Sequence, residues 1–369
     1  MKKYIIPIII VLVVIAIILI QKPFFRTSDT TTVRIGLALA LSGDAASWGE
    51  QERNGVILAQ EELNAKGGID KNLVEFITED TKSTSVGSTN AVQKLVNFDK
   101  VQYIIGPTWF DSYPGAQGVV KNTNVLMITP SASATAIQQP EKISNIFSVW
   151  YRTDAITDGL AKFMNTDAKK NIALVFQNDA YYQEVQDFFV TVADKNELNI
   201  VSKDLINPGE TDFKTLLARM KLKNVDAIFF GMYDESMLIG LLRDHTTIAP
   251  NIAIYTNQDA RGWINNKDYQ PYISNLKFVD NAPMSETFVK KYTERFKTEP
   301  TLSASTAYDT LMIIAEAIEK SDNPREYITK HSFSTTTFGV VSFDEWNGIG
   351  TKNKQYQMFQ VIDGEAVKI

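Results

Sequence analysis

A chain of 369 residues, 44% apolar and 22% charged, is long enough for two domains that each bury a core, and its even composition excludes a disordered or low-complexity protein. A formal net charge of −6, with no basic cluster of the kind a phosphate backbone needs, argues against nucleic acid as a partner. The absence of cysteine removes disulfides, thiolate metal sites, a cysteine nucleophile and any cysteine-linked lipid.

The chain opens with "MKKYIIPIIIVLVVIAIILIQK", two lysines followed by an uncharged, nearly all-apolar run from Tyr4 to Ile20. That run exceeds the roughly 7–15 residues of a secretory leader core, and no small-x-small cleavage motif follows it. It reaches the short end of the about 17–25 residues that cross a bilayer as a helix. The expectation is an uncleaved membrane anchor through residues 4–20, lysines inside and body outside, with a cleaved leader as the alternative. "RTSDTTT" (26–32) reads as a tether.

From Val33 short apolar runs alternate with amphipathic stretches. "VRIGLALA" (33–40), "LVEFITED" (73–80), "VQYIIGP" (101–107) and "VLMITP" (125–130) read as buried strands. Between them "GVILAQEELNAKGG" (55–68), "TNAVQKLVNFDK" (89–100) and "YPGAQGVVKNT" (113–123) read as helices, the first stopped by Gly67 and Gly68. The pattern then restarts. Strands are expected at 171–179, 199–206, 225–232 and 251–258, and helices at 181–196, 212–223 and 235–245. Helical stretches at 286–297 and 304–320 follow, and the tail from Phe338 reads as β-rich, with turns at Asn347-Gly348 and Asp363-Gly364. Strands separated by helical segments of this length imply β-α-β units, hence an α/β protein with two open parallel sheets. Only two histidines occur, His245 after "SMLIGLLRD" and His331 before a Ser/Thr-rich segment. Both read as surface residues, so a histidine-based catalytic or metal centre is not expected.

Open parallel sheets bind ligands outside the carboxyl ends of their strands. Five segments fall there: "GPTWFD" (106–111), "PSAS" (130–133), "FQNDAYY" (176–182), "GMYDES" (231–236) and "TNQDARG" (256–262). They are rich in aromatic, hydroxyl and amide side chains, the lining a small-molecule cleft needs. In the third of them Asp179 reads as a loop or helix-capping residue.

The order of these segments resembles the type I periplasmic binding proteins, above all the leucine/isoleucine/valine-binding components of branched-chain amino-acid and amide ABC importers. "IGLALALSGDAASWGEQERNGVILAQEELNAKGGI…VEFITEDTKS" looks like the family's opening. "VQYIIGP…VLMITPSASA", "NIALVFQNDAYYQE", "GETDFKTLLARMKLKNVDAIFFGMYDE", "AYDTLMIIAEAIEKS" and "FGVVSFDEWNG" follow in family order, so the similarity covers 33–369. It implies two Rossmann-like lobes joined by three crossovers that close on a ligand. After an anchor and tether (1–32), lobe 1 is expected at 33–148 plus 281–335, and lobe 2 at 149–280 plus 336–369. The crossovers are expected near "SVWYRT" (148–153), "VDNAP" (279–283) and "SFSTTTF" (332–338).

The resemblance also implies ligand contacts. The small-residue turn that holds an α-carboxylate falls on Ser131, Ala132 and Ser133, where hydroxyls and backbone N–H groups would form charge-assisted hydrogen bonds. The first-loop aromatic falls on Trp48. The lobe-2 tyrosines fall on Tyr181, with Tyr182 beside it, and on Tyr233. The acidic group that receives the ligand ammonium falls within Asn257, Gln258 and Asp259. Two departures stand out. A family serine lands on Phe110, between Trp109 and Asp111, and the acidic position falls on Gln258 or Asn257 unless one gap moves it to Asp259. Both loosen the expectation of a plain α-amino acid.

The function this implies is an extracytoplasmic importer subunit that passes a small amino-acid-like solute to a permease, without cofactor or metal. A sensory ectodomain acting through a membrane partner is the second reading. An enzyme is disfavoured by the lack of a nucleophile–base set or of "GxSxG" and "HExxH" motifs. Lobe-2 contacts from Tyr181 and Tyr233 are expected to favour the closed state.

Overall fold

The computed structural model describes residues 31–133, 143–264, 266–281, 283–349 and 356–369. The expected anchor at 4–20 lies outside them.

The first half builds one sheet. β1 (Thr32–Leu39), β2 (Leu73–Asp80), β3 (Tyr103–Ile105), β4 (Leu126–Thr129) and β5 (Ile146–Ser148) are all parallel, in the order β2-β1-β3-β4-β5. The central strands are buried on both faces, which is why they read as unbroken apolar runs. α1 (Ala46–Ala65), α2 (Ser85–Asn97) and α3 (Tyr113–Val120) are the crossovers between them.

The second sheet repeats the plan and is larger. β6 (Asn171–Gln177), β7 (Asn199–Ile206), β8 (Ala227–Gly231), β9 (Ala253–Thr256) and β10 (Lys277–Asn281) are parallel. β13 (Tyr356–Ile362) and β14 (Glu365–Lys368) extend it antiparallel beyond β10, giving β14-β13-β10-β9-β8-β6-β7. Its helices are α4 (Thr153–Thr166), α5 (Ala180–Ala193), α6 (Lys214–Leu222) and α7 (Glu235–Ile248). Side-chain oxygens start two of them: Asp179 accepts the Tyr182 N–H at 2.9 Å, and Asp234 accepts those of Ser236 and Met237 at 2.9 and 3.2 Å.

α8 (Glu286–Phe296), α9 (Leu302–Lys320) and α10 (Pro324–Lys330) then return to the first sheet. α9 lies so close to α1 that a Cβ on Gly55 would sit 2.0 Å from the Ala304 carbonyl oxygen. This explains a difference from the sequence reading: Gly55 looked like a helix start, yet α1 begins at Ala46 and uses the glycine for contact.

The tail divides. β13 and β14 join the second sheet, whereas β12 (Val340–Ser342) pairs antiparallel with β11 (Ser332–Ser334). Just after β12, the Asn347 side chain donates to the Ile143 and Ile146 carbonyls at 2.9 and 3.0 Å, beside β5. Residues 343–349 therefore pack on the edge of the first sheet. The reading of His245 as a surface residue is corrected. It is buried in the last turn of α7, its Nε2 is 2.8 Å from the Ile252 carbonyl oxygen, and burial holds its pKa below the usual value. The ring folds back over the loop that feeds β9 instead of facing water.

Candidate ligand-binding cleft

The carboxyl ends of strands from both sheets meet at one cleft of about 490 Å3, counting its open mouth. The first sheet supplies Trp48 after β1, Trp109, Phe110 and Asp111 after β3, Ser131 after β4, and Trp150 and Tyr151 after β5. The second supplies Tyr181 after β6, Tyr233 after β8 and Gln258 after β9.

Hydrogen bonds inside the protein fix the first rim. The Thr129 hydroxyl donates to the Pro107 carbonyl at 3.0 Å and accepts the N–H groups of Ser131 and Ala132 at 3.3 and 3.2 Å. Ser131 Oγ accepts the Trp109 N–H at 3.1 Å. Trp109 is thereby held at φ +66°, a backbone region costly for a bulky residue and found most often at ligand clamps and active sites. One shell further in, Thr108 donates to Glu52 and accepts the Ala40 N–H at 2.9 Å. Glu52 is fully buried on α1, and desolvation raises its pKa to about 7 despite hydrogen bonding from Ser131 and Thr108.

The second rim is tied by side-chain hydroxyls and amides. Gln177 Oε1 accepts the Tyr233 and Asp234 N–H groups at 3.1 and 3.0 Å and so sets the loop after β8. Tyr151 and Tyr181 hydroxyls lie 3.3 Å apart, Gln258 donates to Tyr151, and Asn257 donates to Tyr181 at 3.5 Å. Tyr182 is fully buried between Phe176 and Tyr233, with ring centroids at 5.8 and 4.8 Å. Gly231 makes that possible, since a Cβ there would lie 2.3 Å from the Tyr182 ring.

Rings span the two rims. Trp109 stacks on Tyr233 at 5.7 Å and 25°, while Trp48 meets Trp109 at 6.2 Å and Trp150 at 5.9 Å. Negative charge gathers beside them. Asp111 is held above the usual carboxylate range by desolvation, and Asp179 is raised to about 6 by desolvation, with the charge of Asp111 adding to it. Burial also raises the Tyr233 phenol, followed by the adjacent Asp179. Among the described residues no lysine or arginine lines the cleft. Arg152, next to Tyr151, is engaged by Asp154 at 2.8 Å and by Asp344 at 2.5 Å.

Of the residues singled out from sequence, Trp48, Trp109, Phe110, Asp111, Ser131, Tyr181, Tyr233 and Gln258 line this one cleft. Ala132 and Ser133 sit behind Ser131 with 1% and 3% exposure, and Ser133 Oγ accepts the Thr153 N–H at 3.4 Å. Asn257 is buried, Tyr182 backs the wall, and Asp259 lies in the 3-10 turn Gln258–Gly262 with its side chain outside the described set. Sequence reasoning missed Trp150, Tyr151 and Glu52. Placing a fifth strand at Ile146–Ser148 would have exposed the first two as residues following a strand end.

A family described as "Periplasmic binding protein" matches residues 32–355. The Leu/Ile/Val-binding protein of Escherichia coli (strain K12) is 26% identical over 346 residues, 88% of this chain and 90% of that one. Among solved structures, the branched-chain amino acid transporter substrate-binding protein LivJ from Streptococcus pneumoniae, in complex with isoleucine, is 23% identical with TM-score 0.74, covering 92% of this chain and 100% of that one. A solute-binding protein of an ABC transporter from R. palustris, in complex with benzoate, is 17% identical with TM-score 0.75, covering 92% and 95%. At such identities the two structures speak to the fold alone.

Proposed function

We propose, from the premise that this chain belongs to the periplasmic binding protein family, that it is the extracytoplasmic solute-binding subunit of an ABC importer. It holds a small solute of the amino-acid or amide class between its two lobes and presents it to a permease. Residues 4–20 tether it to the membrane. One lobe forms around each sheet, and the chain crosses between them near 148–153 and 279–283; residues 343–349 stay with the first sheet, so the lobe-2 boundary expected at 336 shifts beyond them.

One observation carries this reading. Seven strand ends from two separate sheets deliver aromatic and amide side chains to the same cleft, and Trp109 of one rim touches Tyr233 of the other. A solute there contacts both lobes at once, so its affinity differs between open and closed forms, which is the condition for ligand-driven closure. Aromatic walls with a few directional polar groups suit capture and release.

The test is isothermal titration calorimetry of the full-length protein against amino acids, their amides and small carboxylates, paired with small-angle scattering. Saturable one-to-one binding with a smaller radius of gyration in the bound state is expected. Binding without compaction would remove the hinged-closure mechanism, and no binding by any solute in the panel would count against the importer reading.

A further inference from the structure

The charge of the ligand can be read from the cleft. We infer that, on the solute-binding reading above, this site selects a small organic cation, an alkylammonium whose carboxylate is missing or masked, seated in the cage of Trp48, Trp109, Trp150 and Tyr233 with Asp111 as its counter-charge.

The cage is the first ground. Trp48 meets Trp109 and Trp150 within 6.2 Å, and Trp109 stacks on Tyr233 at 5.7 Å, so four electron-rich rings gather from both rims and offer faces to a cation once the Trp109–Tyr233 pair parts. Cations within about 6 Å of such faces are attracted by the ring quadrupoles, most strongly by tryptophan. Charge is the second ground. Among the described residues the lining holds a carboxylate, Asp111, and no basic side chain. Asp179 stands close enough to Asp111 for their charges to interact. A bound cation relieves that repulsion, whereas a carboxylate adds to it.

The third ground is the state of the turn expected to hold a carboxylate. The Ser131 and Ala132 N–H groups are already spent on Thr129, and the Ser131 hydroxyl is engaged by the buried Glu52 carboxyl. Arg152, which directly follows the cleft residue Tyr151, is neutralised by Asp154 and Asp344. What the walls do offer is a neutral donor: the Trp48 indole N–H is buried and has no acceptor among the described residues. It suits an uncharged carbonyl, as in an amino-acid amide. The departure at Phe110 fits the same picture, since it removes a hydroxyl expected to bind a carboxylate; Gln258 withholds the expected ammonium partner, and Asp111 takes over that role.

The test is a calorimetric panel at neutral pH on the full-length protein, using choline and leucinamide as cations, leucine as the zwitterion and benzoate as the anion. Choline or leucinamide is expected to bind at least about tenfold tighter than leucine, and benzoate to bind weakest. Asp111→Asn should weaken the cations by about tenfold and bring leucine closer to them. Thermal unfolding of that variant checks that the fold survives. Tightest binding of leucine or benzoate would overturn the inference while leaving the solute-binding reading standing. Absence of binding by both cations would overturn it too, whatever the other compounds do. Equal cation affinity in Asp111→Asn and the parent would remove Asp111 as the counter-charge.

Discussion

The two rims of the cleft are made differently. The first is set by short-range hydrogen bonds to its own backbone: Thr129 ties the Ser131 turn, Ser131 ties Trp109, and the buried Thr108–Glu52 pair stands behind them. The second is set at a distance, through Gln177 reaching across from β6 to the β8 loop and through Asn257 meeting the Tyr181 hydroxyl, which also touches Tyr151 of the first rim. Backbone-tied loops lose little freedom when a ligand arrives, while loops held by a few side-chain contacts can adjust. On the proposed solute-binding function, the first rim is then the preset wall and the second the side expected to move onto the ligand.

The largest effect on this arrangement should come at the joint between the rims. Arg152 follows Tyr151 directly and pairs with Asp154 and with Asp344 of the returning chain. Arg152→Ala leaves two carboxylates without their partner and should cost about 3 kcal/mol of stability, read as a lower denaturant midpoint with unchanged m-value. A loss below about 1 kcal/mol would mean the joint is held by packing instead.

The next effect separates binding from folding. Tyr233 is 41% exposed and touches Trp109 across the cleft. Tyr233→Ala should weaken solute binding by about tenfold yet leave the thermal midpoint nearly unchanged, as expected of a partly exposed ring. Unchanged affinity would take Tyr233 out of the moving rim. A collapse of stability would make it a structural support for Tyr182.

The smallest effect is a pH slope. Glu52 holds its proton to about 7, and Asp309, buried on α9 and hydrogen-bonded by Thr336, does likewise. Each carboxyl binds its proton more tightly in the folded chain than in the unfolded one. Its stabilisation is therefore complete below the unfolded pKa and is lost as pH rises through about 7. Stability should fall between pH 4.5 and 7, opposed in part by His245, whose lowered pKa acts with the other sign, and Glu52→Gln should flatten that fall without abolishing it, because Asp309 and Asp179 remain. Carboxyls held low, such as Asp80 and Asp244, act below this window with the opposite sign. An equal slope in parent and variant would show Glu52 ionised in the native state.

Much of this was legible in the sequence because buried parallel strands are written as apolar runs and their ends as polar, aromatic loops. The β6–β9 and α5–α7 succession follows the spacing closely, and Asp179 caps α5 where a capping residue was expected. Shorter or interrupted features were harder to see. β5 is three residues long, so Trp150 and Tyr151 read as crossover and not as cleft wall. Glu52 carries a charged side chain on an amphipathic helix, a pattern that ordinarily means a solvated face. Its partners, Thr108, 56 positions later, and Ser131, come from distant loops. His245 was hidden for the same reason, its acceptor being a carbonyl beyond the helix end.

The Trp109–Tyr233 stack also has a kinetic meaning. Those rings occupy each other's faces across the mouth, so a solute reaches the inner wall only after they part. Association is then gated by the opening of the stack. At low solute the observed rate should climb with concentration, and at high solute it should level off at the opening rate, below the encounter limit. On the proposed function the same ring pair also lengthens residence once it closes behind the solute, together with the Tyr151–Tyr181 and Gln258–Tyr151 contacts across the rims.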